Sequence, residues 1–285
     1  MEFGWESVDS RQFVAFFGCF RLKFPAPFLF CADLDGALLP SKGGAVAPGG
    51  LDRTQSVLKE MRAAGIPIVF VSGRSPNSAR QGAKTFRLPT PDWWICLSGT
   101  EVYDGQGRRN ESWFARLGAP LNGPAIRQAF YGINGLTLQH GAHQSPYTIS
   151  FLYTRPLDPM LLNELRGRLR NVREDLTLSH IEEERTGRTL IDIFPSHAGK
   201  TAAIHHLAAE ADLPLTRVFF AGDDRSDVRA LLSGLRGVLV GNASDAARAE
   251  LQGLRRERPD AHIYVASQQY GDGVIEGLKL YRFAA

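Results

Sequence analysis

The sequence predicts an α/β protein in which a parallel-sheet core is interrupted by an inserted α+β domain. Three observations carry this reading. Short apolar runs of strand type, each ending in polar residues, alternate with segments of helical period from Phe28 to about residue 107. Between residues 108 and 188 that rhythm gives way to short strands mixed with two helices, the pattern of an antiparallel α+β unit. From Thr189 the strand–helix rhythm resumes. The expected organisation is an extension over residues 1–27, a core built from 28–107 and 189–285, and an insert at 108–188.

In order, Phe28-Leu-Phe-Cys-Ala-Asp33 is a strand, and Gly36 turns the chain out of it. Ser41 to Gly50 is a loop on its glycines and proline. Leu51, Val57, Leu58 and Met61 fall at helical spacing, with Gly65 as C-cap. Ile66 to Val71 is a β-branched strand ending in Ser72-Gly-Arg-Ser75, which completes a strand–helix–strand unit. A helix over Asn77 to Phe86 and a strand at Trp93 to Leu97 follow. In the insert, helices are expected at Pro124 to Tyr131 and Pro159 to Arg170, and strands at Leu136 to Gln139, Tyr147 to Tyr153 and Leu176 to His180. The core returns with strands at Thr189 to Phe194, Arg217 to Ala221, Gly237 to Val240 and Ile263 to Ala266, and with helices at Lys200 to Ala211 and Val228 to Ser233.

Composition narrows the function classes. The chain has 285 residues, 44% hydrophobic and 22% charged, enough for one large or two modest domains. Net charge is +3 and the basic residues are dispersed, with no stripe of Lys/Arg interleaved with aromatics, so no nucleic-acid partner is expected. Cys19, Cys31 and Cys96 are odd in number, lack zinc spacing and lie largely in apolar runs. They read as buried thiols of a reducing compartment, hence a cytoplasmic protein. The apolar run Phe13 to Phe20 is shorter than the ~20 residues a membrane span needs. Acidic Glu2, Glu6 and Asp9 precede it, which argues against a signal peptide, so no membrane partner is expected.

The chemistry gathers at strand ends. Asp33 and Asp35 are one residue apart, and i and i+2 share a face of a strand. Ser72 ends the second strand, Lys200 opens a helix after a strand, and Asp223 and Asp227 follow another. In a parallel sheet these turns share the carboxyl edge, where open α/β sheets place their ligands. Three or four carboxylates meeting there repel one another unless a divalent cation lies among them, and oxygen ligands suit Mg²⁺. A hydroxyl and an ammonium beside that cation suit a phosphoryl group. One carboxylate could then attack in line while another exchanges the proton. Asp192 is expected to alternate outward from its strand. Gln139, His140 and Gln144 offer groups to sugar hydroxyls, or serve as ordinary polar residues at strand ends.

The order and identity of these residues resemble the haloacid dehalogenase superfamily of phosphatases. That resemblance implies a Rossmann-like parallel-sheet core with an inserted α+β cap domain of type two. It makes Asp33 the nucleophile and Asp35 the acid/base. It gives the phosphate to Ser72, Gly73 and Lys200, and Mg²⁺ to Asp33, Asp223 and Asp227 with the backbone carbonyl of Asp35. Cys96-Leu-Ser-Gly-Thr-Glu-Val-Tyr103, Tyr147-Thr-Ile-Ser-Phe151, Asp192 to Lys200 and Ile263 to Gly277 resemble the sucrose-phosphate phosphatase branch. Gly222-Asp-Asp-Arg-Ser-Asp227 is closer to the trehalose-phosphate phosphatase form. The substrate implied is a sugar phosphate, sucrose 6-phosphate first, with trehalose-phosphate or glycosylglycerate-phosphate as alternatives. A catalytically weak sugar-phosphate sensor, or a partner of a glycosyltransferase, is the alternative of another class. Ala37 stands where the family carries Thr, and Ser226 where it carries Asn. One lost hydrogen bond costs ~1 kcal/mol, so restoring it with Ala37→Thr predicts faster turnover.

Overall fold

The computed structural model describes residues 22–24, 26–41, 44–183, 186–259 and 261–284. Residues 1–21, and with them Cys19 and most of the expected extension, lie outside the described residues. The first half of the core runs β1 (Leu29–Asp33), α1 (Gly50–Ala63), β2 (Ile68–Val71), α2 (Pro76–Thr85), β3 (Trp93–Cys96) and β4 (Glu101–Asp104). After α3 (Glu111–Leu117) and α4 (Gly123–Ala129) come β5 (Leu136–Leu138), β6 (Ile149–Tyr153), α5 (Pro159–Arg170), β7 (Leu176–Glu183) and β8 (Arg188–Pro195). The chain then returns through α6 (Lys200–Glu210), β9 (Val218–Gly222), α7 (Arg225–Leu231), β10 (Arg236–Leu239), α8 (Asp245–Arg255), β11 (Ile263–Val265) and α9 (Tyr270–Leu280).

Seven strands form one sheet in the order β11-β10-β9-β1-β2-β3-β4, parallel throughout except for the antiparallel edge strand β4. β1 lies at its centre, and every residue of β1 is buried. Its side chains alternate: Phe30 and Ala32 enter one apolar layer with Met61, Phe70 and Leu278, while Leu29 and Cys31 enter the other with Trp113, Ile204 and Leu231. A strand covered on both faces must be apolar throughout until it ends, which is why its first charged residue is Asp33.

The second sheet has four strands in the order β5-β6-β8-β7, antiparallel in every pairing. Its apolar layer, including Phe130, Phe151, Leu165 and Ile193, lies against α4 and α5. Here the structure corrects one expectation. Thr189 to Phe194, read as a core strand, is part of β8 and pairs with β6 and β7 in the smaller sheet. Its alternation of apolar and polar residues matches its antiparallel neighbours, and apolar content alone does not reveal which sheet a strand joins. In addition, α3 packs Trp113, Phe114 and Leu117 into the core layer, although residue 108 was the expected start of the insert. Cys31 and Cys96 are free and buried; burial pushes the Cys96 thiol up to about 12 and Cys31 higher still, so neither is poised to react. Among the described residues, no helix is long and apolar enough to cross a membrane.

Candidate active site

β1 delivers Asp33 to the carboxyl edge of the large sheet with 5% of its surface exposed. The chain then closes a tight loop in which Leu38 N donates to Asp33 O at 3.2 Å and Leu39 N to Leu34 O at 2.8 Å. Gly36 is required there twice. Its φ of +90° is left-handed, and a Cβ at that position would stand 1.9 Å from Asp223 Oδ2. Asn242, just beyond β10, holds the loop: its Nδ2 donates to Gly36 O and its Oδ1 accepts from Tyr270 N, both at 2.7 Å.

β9 brings in the second acidic group. Asp227 is fully buried on α7, and its Oδ2 accepts from the backbone N of Asp223 at 3.1 Å and of Asp224 at 3.2 Å. Lys200 is the first residue of α6. Gly99, at φ +95°, passes so close to Gly199 that a Cβ on it would lie 2.1 Å from the Gly199 carbonyl carbon. That close passage fixes where α6 begins, and the buried Nζ of Lys200 donates to Asp33 Oδ1 and Asp227 Oδ1, each at 2.7 Å, and to Ser226 Oγ at 3.2 Å.

Oxygens of Asp33, Asp223 and Asp227 lie within 4.8 Å of one another. Three carboxylates and one ammonium leave a formal charge of −3 + 1 = −2, and Asp223 Oδ1 is buried without a hydrogen-bond partner among the described residues. Burial raises Asp33 to about 7 against the opposing pull of Lys200. Burial, reinforced by Asp33 and Asp227, raises Asp223 to about 9. Burial disfavours a charged Lys200, but Asp227 and Asp33 outweigh it and hold the ammonium charged. The unanswered oxygen, the hard donor set and the missing two positive charges fit a divalent cation such as Mg²⁺, held by Asp33, Asp223 and Asp227.

The side chain of Asp35 stands apart from this cluster. Its backbone N donates to Asp33 Oδ2 at 3.0 Å, while its carboxylate takes Arg74 Nε at 2.7 Å on Oδ2 and Arg74 Nη2 on Oδ1. The resemblance assigned Asp35 to the cation only through its backbone carbonyl. Arg74 reaches it by lying over Gly82 of α2, where a Cβ would stand 2.6 Å from Nη1. Ser72 is buried beside them; its Oγ accepts from Arg74 N at 3.1 Å and keeps its own proton to donate. Gly73 is exposed, with Ser98 Oγ 3.5 Å from where its Cβ would be.

The insert candidates have local partners. Gln144 accepts from Ser150 N at 3.0 Å and donates to Ser150 O at 2.8 Å and Gln139 O at 3.2 Å, while His140 Nδ1 accepts from Ala142 N at 3.3 Å. Gln139 binds β6 through its backbone N, which donates to Ser150 O at 2.9 Å. Asp192, expected to face outward, is only partly exposed. It accepts a hydrogen bond from Ser150 Oγ on the neighbouring strand, and burial raises its pKa.

Arg74, Asn242 and the Gly99–Gly199 passage were not among the expected site residues. Asn242 follows a strand at the same carboxyl edge, so the rule that selected Asp33 and Asp223 also reaches it. Nothing in the local sequence pairs Arg74 with Asp35 across 39 positions.

The sequence profile described as sucrose-6F-phosphate phosphohydrolase matches residues 26–282. A HAD-like hydrolase of Nitrosococcus oceani is 31% identical over 266 residues, covering 88% of this chain and 70% of the relative. Sucrose-phosphatase 1 of Nicotiana tabacum is 25% identical over 217 residues, 74% of this chain; the match spans 49% of the tobacco protein. Among solved structures, the sucrose-phosphatase of Synechocystis sp. in complex with sucrose and phosphate superposes with a TM-score of 0.74 at 22% identity, covering 90% of this chain and 98% of that one. A HAD subclass IIB sugar phosphatase gives a TM-score of 0.60 at 14% identity, over 90% of this chain and 99% of its own.

Proposed function

Because the chain belongs to the sucrose-6F-phosphate phosphohydrolase family, phosphoric monoester hydrolases of the haloacid dehalogenase superfamily, we propose that it hydrolyses a small sugar phosphate, with sucrose 6-phosphate as the first substrate. The observation that supports this best is the buried cluster of Asp33, Asp223 and Asp227 around Lys200, two positive charges short of neutrality.

In this reading an oxygen of Asp33 attacks phosphorus, and the bond from phosphorus to the sugar oxygen breaks. The leaving oxygen takes a proton from Asp35, and the phosphoryl group rests on Asp33 as an acyl phosphate. Asp35 then takes a proton from water, which attacks the same phosphorus and frees inorganic phosphate with Asp33 restored. Lys200 and Ser72 draw charge from the phosphoryl oxygens, a role that requires the ammonium and hydroxyl to be fixed before substrate arrives. A bound divalent cation would let the three carboxylates stay ionised together and would neutralise the phosphoryl group. Arg74 holds the Asp35 side chain apart from the cluster before substrate binds. To serve as the acid, Asp35 must leave Arg74 and carry a proton when the sugar oxygen departs, a proton it regains from water in the second step. The four-stranded sheet, closing over the sugar, would exclude water and set specificity.

Phosphate release from sucrose 6-phosphate, trehalose 6-phosphate and a glycosylglycerate phosphate, with and without Mg²⁺, tests this. Turnover is expected with at least one, strongest with sucrose 6-phosphate, and absent in Asp33→Asn. Tight binding of one sugar phosphate with no turnover of any would replace the enzyme reading with a sensor.

A further inference from the structure

A second concave site lies at the far end of α2 from the Ser72 loop, a helix length of about 15 Å away for ten residues. It is a half-open hollow of about 360 Å³, lined by Arg80, Lys84, Arg87, Thr90 and Trp94.

Its charge is one-sided. Arg80, Lys84 and Arg87 recur at intervals of four and three, so they share one face of α2 and the turn that follows it. None of the three has a hydrogen-bond or carboxylate partner for its side chain among the described residues; the guanidinium of Arg80 lies 5.9 Å from the centre of the Tyr103 ring. Arg62 adds a fourth cation at the rim, donating to Thr90 O. The neighbouring acids are committed elsewhere. Asp104 accepts from Arg108 Nε at 2.6 Å and from the backbone N of Gln106 and Arg108, and Asp92 accepts from Ile68 N. A lysine in the last turn of a helix complements the dipole. That accounts for Lys84 but not for Arg80 four residues earlier, since like charges at that spacing repel.

Two further features occur at the same place. Trp94 is 3% exposed, and its indole Nε1 is buried with no acceptor among the described residues, although buried donors are nearly always answered. Arg87 occupies the left-handed region at φ +53°, a position after a helix that favours glycine. Arg80, Lys84 and Arg87, the last two exposed to solvent, give the cavity wall one sign of charge, and Arg87 is held there in a left-handed conformation. The Trp94 indole Nε1 is closed to solvent behind that wall, a reporter beside the site and not a contact of its ligand.

We propose that this cavity is a binding site for a small phosphorylated anion of at least two negative charges, separate from the catalytic cluster. The inference does not depend on the phosphatase reading.

Inorganic pyrophosphate is the probe, and the ¹⁵N–¹H signal of the Trp94 indole is the readout, identified among four tryptophans by its loss in Trp94→Phe. On the full chain without Mg²⁺, pyrophosphate is expected to move that signal saturably, while chloride at matched ionic strength does not. In Lys84→Gln/Arg87→Gln the midpoint should rise tenfold or more, with turnover in the absence of pyrophosphate unchanged. In Lys200→Met the Trp94 response should persist, which separates it from anion binding at the catalytic cluster. A Trp94 signal that stays still, follows chloride equally, or loses its response in Lys200→Met overturns the proposal. Should the double variant fail to fold, the comparison of pyrophosphate with chloride on the unaltered chain still decides it.

Discussion

The two sheets bury polar groups on opposite terms. In the four-stranded sheet, Gln144 answers both backbone groups of Ser150, and the Ser150 hydroxyl answers Asp192. At the carboxyl edge of the seven-stranded sheet, three acids share one lysine and Asp223 keeps an oxygen unanswered. The first arrangement is complete without a ligand; the second is not. The contrast separates scaffold from site more sharply than burial does, because both regions bury aspartates.

Asp223→Asn should break the contrast most visibly. Turnover is expected to fall by about 10³-fold, while the metal-free protein gains about 1 kcal/mol at neutral pH because folding no longer has to keep a proton on a carboxyl that the unfolded chain releases. Asp192→Asn, whose amide oxygen can still accept from Ser150, should gain less, because the Ser150 hydroxyl already offsets part of the burial that raises Asp192. Equal gains in denaturant titrations of the two variants would abolish the distinction. Gly99→Ala comes next: a Cβ pressed against Gly199, at a left-handed φ, is expected to cost about 3 kcal/mol and to displace Lys200. Thermal melts and phosphate release would register both effects.

The pH dependence sharpens the same comparison. Asp33 and Asp223 have folded-state values raised from 3.8 to about 7 and about 9, so the folded chain holds protons that the unfolded chain releases. Their contribution to stability is full below pH ~4 and is lost as pH rises through about 7 and then about 9. Melting temperatures in EDTA should fall across that window, and Mg²⁺ should flatten the fall. A flat profile without Mg²⁺ would contradict the electrostatic account of the cluster.

Smaller effects follow. Arg74→Ala should lower kcat about tenfold with almost no change in melting temperature, since a partly exposed ion pair contributes little to stability. Arg74→Lys should recover part of the rate. Ala37→Thr is expected to raise turnover no more than about fivefold, the equivalent of one hydrogen bond. Ala37 is fully enclosed, so the added atoms should also lower the melting temperature slightly. An unchanged or slower rate would remove the role assigned to that missing hydroxyl.

Much of the parallel core was legible because β1 obeys a strict local rule: apolar while covered, acidic where it emerges. Ser72, Lys200, Asp223 and Asp227 were legible for the same reason, each standing at a strand exit or a helix start. What escaped depends on distant pairing. The side-by-side placement of β1 and β9 carries no local signal, nor does the reach of Arg74 to Asp35 or the passage of Gly99 by Gly199. The alternation within β8 was visible, but its choice of sheet was set by β6 and β7. The antiparallel β4 lies in a stretch after Leu97 where no element was expected, although its residues up to Tyr103 carried part of the family resemblance.

The bond from Asn242 to the carbonyl of Gly36 joins the turn after Asp33 to a late stretch of chain, and Asn242 is itself held by the backbone of Tyr270. During synthesis, then, Asp33 emerges long before the groups that set its loop. Its neighbour strand β9 and the clasp from Asn242 arrive roughly 190 to 210 residues later. The loop that carries Asp33 therefore takes its final bracing only after β9, Asn242 and the start of α9 have been made, so this turn, the first of the sheet edge to be synthesised, is among the last to be completed.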